Sequence, residues 1–182
     1  MTPDNINSTL IQIVDSIDVE SIVECFQSMK DIIQFTESGH KGSQSGLQYL
    51  SEEDPHTSAV GRGKGRDHEY TSLNPLFVGT IFETIINKYK FTRTRLMWVN
   101  HMSCYSMHRD PSPRVHIPLI TNEQCYFIFK HGLIQHFPVG YVYYTDTRHD
   151  HTFANCSEER RLHLVGAVDD NWITDRLTIN KN

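Results

Sequence analysis

The chain has 182 residues, 38% of them hydrophobic, and a formal net charge of −5. That length suits one domain with a substantial core. No apolar run is long enough for a membrane span, and the acidic balance argues against a general nucleic-acid binder.

The first residues, Met1–Leu10, show no basic segment ahead of an apolar one, so no secretory signal is expected and a cytoplasmic location follows. Cys25, Cys104, Cys125 and Cys156 form no CxxC pair. That pattern supports neither a zinc ribbon nor a thioredoxin-like motif, and four reduced thiols are expected. Residues 1–91 hold 7 Lys/Arg against 13 Asp/Glu, whereas residues 92–182 hold 10 against 9. Histidine is unevenly placed too: of 11, eight fall between His101 and His163. Imidazole titrates near neutrality and is the commonest metal ligand.

Residues 6–17 and 19–33 read as helices. In the second, Val19, Ile22, Val23, Phe26, Met29 and Ile33 recur at helical steps behind an N-cap at Asp18. Gln34–Glu37 and Gly46–Leu50 read as short strands, and Ser51–Asp67 as a polar loop containing GRGKGR at 61–66. That hexapeptide is not a phosphate-binding P-loop, since GxxxxGK[ST] is absent. The 51–67 loop reads as a wall of the substrate pocket, and the hexapeptide either as a solvated stretch or as a lid or contact to an anionic substrate. Asn74-Pro75 marks a helix start, with Phe77, Val78, Ile81, Phe82, Ile85, Ile86 and Tyr89 as its buried face. Beyond Phe91 the pattern becomes short β-rich runs: Arg95–Asn100, Arg114–Leu119, Cys125–Phe129, Leu133–Phe137, Tyr141–Thr145 and Arg161–Val168. Turn residues divide them at intervals suited to an antiparallel sandwich or barrel.

His108-Arg109-Asp110 is an H-x-D, which in extended chain turns one imidazole and one carboxylate to the same side. A third ligand is best supplied by His149-Asp150-His151. Two His and one carboxylate on one face of an octahedral ion make the set of non-heme Fe(II) oxygenases. Arg114 with His116, and Arg161 with His163, share strand faces. Turned inward they are costly unless they bind something, and an anionic cosubstrate clamped by arginine satisfies them. Leu162 and Leu164 compete for that inner face. Three rival readings stand beside this one. One is a cupin-like metalloenzyme using His149 and His151, whose usual acidic partner is replaced by Asn155, with Glu158 farther along. Another is a non-catalytic jelly-roll binding module. The third is a structural zinc site of His101, Cys104 and His108.

The string from His108 through Asp110, Arg114 and His116 to Leu119 resembles the H-x-D…R-x-H-x-P-L signature of the aspartyl/asparaginyl β-hydroxylase family. So does the run Gly140–Asp146 with His151, Asn155 and Arg161–Leu164, and the free-proline cis-hydroxylases are similar. The resemblance covers residues 92–170 and leaves 1–91 without a match. It implies a mainly β protein with a double-stranded β-helix (jelly-roll, cupin-like) core. The expected layout is a single domain: N-terminal helices and mixed segments (1–91) packed on the core as support and substrate region, the catalytic core (92–170), and a tail (171–182). It implies an Fe(II)- and 2-oxoglutarate-dependent hydroxylase, stimulated by ascorbate, acting on a free amino acid or a peptide or protein side chain. His108, Asp110 and His151 are then the iron ligands. Arg161 pairs with the distal carboxylate of 2-oxoglutarate, and Arg114 and His116 line the same site.

Overall fold

The computed structural model describes residues 10–179. In chain order the elements are β1 (Ile11–Ser16), α1 (Val19–Met29), β2 (Thr36–Glu37), β3 (Gly42–Gly46), β4 (Gln48–Tyr49), β5 (Ser72–Leu73), α2 (Ile81–Tyr89) and β6 (Thr92–Val99). They continue with β7 (Ser103–Cys104), β8 (Arg114–Ile120), β9 (Cys125–Phe129), β10 (Ile134–Gln135), β11 (Tyr141–Thr145), β12 (His151–Asn155), β13 (Arg161–Ala167) and α3 (Trp172–Ile179). A seven-stranded antiparallel sheet runs β1-β11-β8-β13-β6-β3-β2, and a four-stranded sheet runs β10-β9-β12-β7. Face to face, they form a jelly roll.

Two apolar cores explain the layering. On the outer face of the large sheet, Leu96, Ile117, Leu119, Leu162 and Leu164 pack under Ile22 and Phe26 of α1 and Phe82, Ile85, Ile86 and Tyr89 of α2. Between the sheets lie Val99, Phe127, Phe129, Phe137, Tyr143 and Phe153. Strand β13 is central, so it is buried along its whole length. The contest between Leu162/Leu164 and Arg161/His163 for an inner face therefore has no single winner. The leucines face the helices, and Arg161 and His163 face the space between the sheets.

Four local expectations are corrected. The helix expected over 6–17 is strand β1 where it is described, residues 6–9 lying outside the described residues; it pairs with β11 from Ile11↔Thr145 to Ser16↔Tyr141. Its Ile and Val residues suit either state, and the ladder offered by β11 decides in favour of strand. Asn74 does cap Pro75–Phe77, its Oδ1 accepting from Leu76 N–H, but that is a single 3-10 turn. Gly79 at φ 75° breaks the path, α2 starts only at Ile81, and Val78 is left 61% exposed. The segment set apart as a tail is anchored: Trp172 is buried against Tyr144 and donates its indole N–H to Tyr89 O at 2.7 Å. The helix from Val19 with its Asp18 cap forms as expected, Asp18 accepting from the Glu20 and Ser21 amides, but it ends at Met29 instead of reaching 33.

All four cysteines carry unpaired thiols among the described residues. No described helix is long and apolar enough to cross a membrane.

Candidate metal centre

Strand β12 begins at His151, and the loop ahead of β8 is laced to that start. His108 N–H donates to His151 O, and His151 N–H donates to His108 O, both at 2.9 Å. The Asp110 amide donates to Thr147 O at 2.9 Å. This pairing sets His108 and Asp110 beside His151, so that the three ligand atoms lie within 4.8 Å of one another. The H-x-D lies outside the strands, and one isolated bridge to β12 does the aligning.

The imidazoles are oriented by carbonyls. Nδ1 of His108 is 2.8 Å from Ser106 O, and Nδ1 of His151 is 2.9 Å from His149 O. A carbonyl oxygen only accepts, so each Nδ1 carries the proton and each Nε2 keeps a lone pair for a metal. Nε2 of His151 faces Asp110 Oδ2 at 3.9 Å. Phe127 stacks on the His151 ring at 5.2 Å and 9°. Burial lowers the pKa of His151, with the charges of His108 and Arg114 adding to the effect against Asp110 and the His149 carbonyl. A neutral imidazole is the form that binds metal. Two imidazole nitrogens and a carboxylate, open toward a cavity, fit a divalent first-row metal with exchangeable positions.

The cavity beside the triad has a volume of about 540 Å³, and its walls include His116, Phe127, Phe153 and Arg161. Arg161 is 3% exposed. Its guanidinium lies over the Phe153 ring at 3.3 Å, while Nε and Nη1 have no hydrogen-bond partner among the described residues. Burial pulls its pKa down to about 9. His116 and His163 are buried, with neither ring nitrogen partnered among the described residues. Burial first, then the charge of Arg161, holds both well below the ordinary histidine range. Buried polar groups without partners are uncommon in a folded protein, and a cluster of them around one cavity marks a ligand site.

Arg114 is differently placed. Nη1 donates to Asp67 Oδ2 at 2.8 Å and to Ser112 Oγ at 2.6 Å, and Nε stands 3.3 Å from Asp110 Oδ2. It braces the triad carboxylate from behind.

The rival ligand sets are not brought together. Among the described residues, the one group of three metal-ligating side chains is His108, Asp110 and His151. His149 is exposed, its imidazole 3.8 Å from Asp146.

Gln44, Asp67, Arg93 and Arg95, which the motifs do not include, also line the cavity. Thr92-Arg93-Thr94-Arg95 was a signal of the same kind as Arg114-x-His116, a charged pair opening a strand. GRGKGR is a wall. Arg93 donates to Gly61 O at 2.7 Å, and the Tyr70 hydroxyl accepts from the Lys64 and Gly65 amides at 2.9 and 3.1 Å. Gly63 sits at φ 64°, and Tyr70 Oη occupies the place a Cβ would need.

The model of the aspartyl/asparaginyl beta-hydroxylase family matches residues 66–170, more of the chain than the motifs alone had covered. An oxidoreductase of the 2OG-Fe(II) oxygenase family from Burkholderia pseudomallei is 15% identical, the match covering 90% of this chain and 86% of that one with a TM-score of 0.57. The DMSP lyase DddQ from Ruegeria pomeroyi DSS-3 is 10% identical over 87% of this chain and 67% of that one, with a TM-score of 0.50. These likenesses are likenesses of fold. No curated protein sequence matches the chain.

Proposed function

Because the chain belongs to the aspartyl/asparaginyl β-hydroxylase family, we propose that it is an Fe(II)- and 2-oxoglutarate-dependent hydroxylase of an amino-acid side chain. The substrate classes are peptidyl Asp or Asn and free or peptidyl proline, and succinate and CO2 are the co-products. His108, Asp110 and His151 would hold Fe(II). Arg161 would pair with the distal carboxylate of 2-oxoglutarate, with His116 and Arg114 lining that site. The observation that carries this reading is the meeting of the three ligand atoms within 4.8 Å beside a buried arginine whose Nε and Nη1 have no hydrogen-bond partner among the described residues.

When bound, Fe(II) supplies, together with 2-oxoglutarate and dioxygen, the replacement of a substrate C–H by C–OH. The chain supplies the frame. The carbonyls of Ser106 and His149 hold the two Nδ1 atoms, which would leave both Nε2 atoms free for the ion, and Arg114 steadies Asp110. Arg161 offers a two-pronged donor to a carboxylate, which fixes an anion's orientation as well as its charge. His116 and His163 stay neutral, so neither imidazole adds a positive charge beside Arg161. Phe127, Phe137 and Phe153 exclude water around them.

The test uses purified protein with Fe(II), ascorbate, 2-oxoglutarate and a panel of free amino acids and Asp-, Asn- and Pro-containing peptides, read by mass spectrometry. A gain of one oxygen on a panel member, matched by succinate, is the expected result. Absence of 2-oxoglutarate binding in anaerobic calorimetry with the Fe(II)-loaded protein would overturn the reading.

A further inference from the structure

Outside the triad cavity lies a second, shallow hollow of about 220 Å³, walled by Arg109, Lys130, His131, His149 and Asp150. The pairing that aligns the triad also assembles it. His108 stands opposite His151, and His151 opposite Phe129. One residue along, Arg109, Asp150 and Lys130 therefore form a row across three neighbouring chains, and the Lys130 amide donates to Asp150 O at 2.9 Å. Successive side chains of extended backbone point to opposite faces, so this row turns outward where His108 and His151 turn in. Arg109 is a wall of the triad cavity as well as of the hollow, which joins the two.

Asp150 is the one carboxylate among these walls. Arg109 grips it with Nε at 2.8 Å from Oδ1 and Nη2 at 3.0 Å from Oδ2. Lys130 is left at the margin, its Nζ 3.7 Å from Oδ2 and its side chain 71% exposed. Two cations on one carboxylate leave a positive charge over. Arg148 close by is different, since Asp146 and Asp170 hold it at 2.7 to 2.8 Å. His131 and His149 are exposed and add ring donors without negative charge. Arg62, also exposed, is a further wall of the triad cavity. In a chain of net charge −5, a local positive surplus beside the cavity selects and steers an anionic partner. Reach decides what kind. Arg109 and Lys130 flank Asp150 on either side, about 10 Å apart at the usual interstrand spacing. A free amino acid seated in the triad cavity does not extend to Lys130, whereas a peptide advances about 3.3 Å per residue and arrives there within about three or four.

We propose that the hollow beyond Arg109 receives an acidic side chain of a peptide substrate, a few residues from the one that reacts, with Lys130 as the cation that tells an acid from its amide. The substrate is then a peptide or protein segment and not a free amino acid. That the acidic peptide is a substrate rests on the hydroxylase reading; its binding at Lys130 needs no metal.

The test has two arms. In the first, metal-free protein is titrated with the acetylated and amidated peptide Gly-Glu-Gly-Glu-Gly, and separately with its Gln counterpart, while backbone amide signals are followed by NMR. The His131 and His149 signals are expected to move saturably with the Glu peptide, to stay in place with the Gln peptide, and to lose the response in Lys130→Glu. No response, an equal response to both peptides, or a response that survives Lys130→Glu overturns the proposal. In the second arm, protein loaded with Fe(II) and 2-oxoglutarate is given peptides that carry Asn, Asp or Pro among glycines, with a Glu or a Gln placed one to four positions away on either side. At one spacing or more, kcat/KM is expected to be about two- to fivefold higher with Glu than with Gln, and Lys130→Glu is expected to reverse that order. Equal rates at every spacing overturn the acidic subsite and leave the hydroxylase reading standing, as does hydroxylation of free amino acids alone. If no panel member is hydroxylated while the first arm responds, the hydroxylase reading fails and the acidic-peptide receptor stands.

Discussion

Replacing Asp67 by Asn removes the one carboxylate that two buried arginines share. The side chains of Arg93, Arg114 and Asp67 are 5%, 2% and 6% exposed, and both ion pairs are under 3 Å. Burial alone would raise the Asp67 pKa. The Arg114 charge, with hydrogen bonds from Ser112, Arg93 and Arg114, overcomes that and holds it at about 2. Relative to the ordinary value of 3.8, the shift corresponds to roughly 2–3 kcal/mol. The substitution has a larger effect than that, because it leaves Arg93 with carbonyl partners alone and Arg114 with only Asp110 as a carboxylate partner; breaking a buried pair costs about 3–5 kcal/mol. Asp67→Asn is therefore expected to lower the unfolding free energy in urea by about 3–5 kcal/mol with an unchanged m-value. The acid limb gives a second reading. A depressed folded pKa contributes stability above the unfolded value, and that stability is lost as pH falls from about 4 toward 2. The wild type should lose roughly 2–3 kcal/mol more than the variant across that window. A loss below about 1 kcal/mol on substitution, or parallel acid limbs, would refute the reasoning.

Arg161→Met removes an unpaired buried charge, so calorimetric melting without ligand should show a more stable protein by about 1 kcal/mol or more. The same variant should fail to bind 2-oxoglutarate, and a lowered melting temperature would contradict the account. Gly63→Ala forces a side chain into a positive-φ position where Tyr70 Oη already sits. A stability loss of about 1–3 kcal/mol by urea titration is expected, and none if the 61–66 loop were loose. Leu162→Ala, at a fully buried position facing the helices, should cost about 2–5 kcal/mol. Ile13→Ala, on an edge strand and 60% exposed, should stay within about 0.5 kcal/mol; the same urea titrations check both.

Much of this architecture was legible residue by residue. Cys125–Phe129 and Tyr141–Thr145 are strands at the boundaries that their patterns predict, because each is a compact β-branched and aromatic run between turn residues. His151–Asn155 was not read as a strand. Ala154 and Asn155 have weak strand preference, and pairing with β9 and β7 makes the segment one. Ile11–Ser16 shows the same override, its apolar spacing being compatible with a helix until β11 is in place. At the site, H-x-D with a distant histidine pointed to residues that the fold brings together. Asp67 was not legible, since a lone carboxylate beside a polar loop is an ordinary surface pattern, and the Arg93/Arg95 pair opening a strand is a signal that equally suits a solvated face. Only the topology, with β6 central in the large sheet, buries them. The positive φ of Arg93, 48°, at the irregular end of the β6–β13 ladder is likewise a product of pairing.

The most direct test of the central claim follows the oxygen atoms. Protein loaded with Fe(II) and supplied with 2-oxoglutarate under isotopically heavy dioxygen should release succinate carrying one heavy oxygen, and His108→Ala, which breaks the set of ligand atoms found within 4.8 Å, should release none. Labelled succinate formed equally by the variant, or no labelled succinate from the wild type, would contradict the account.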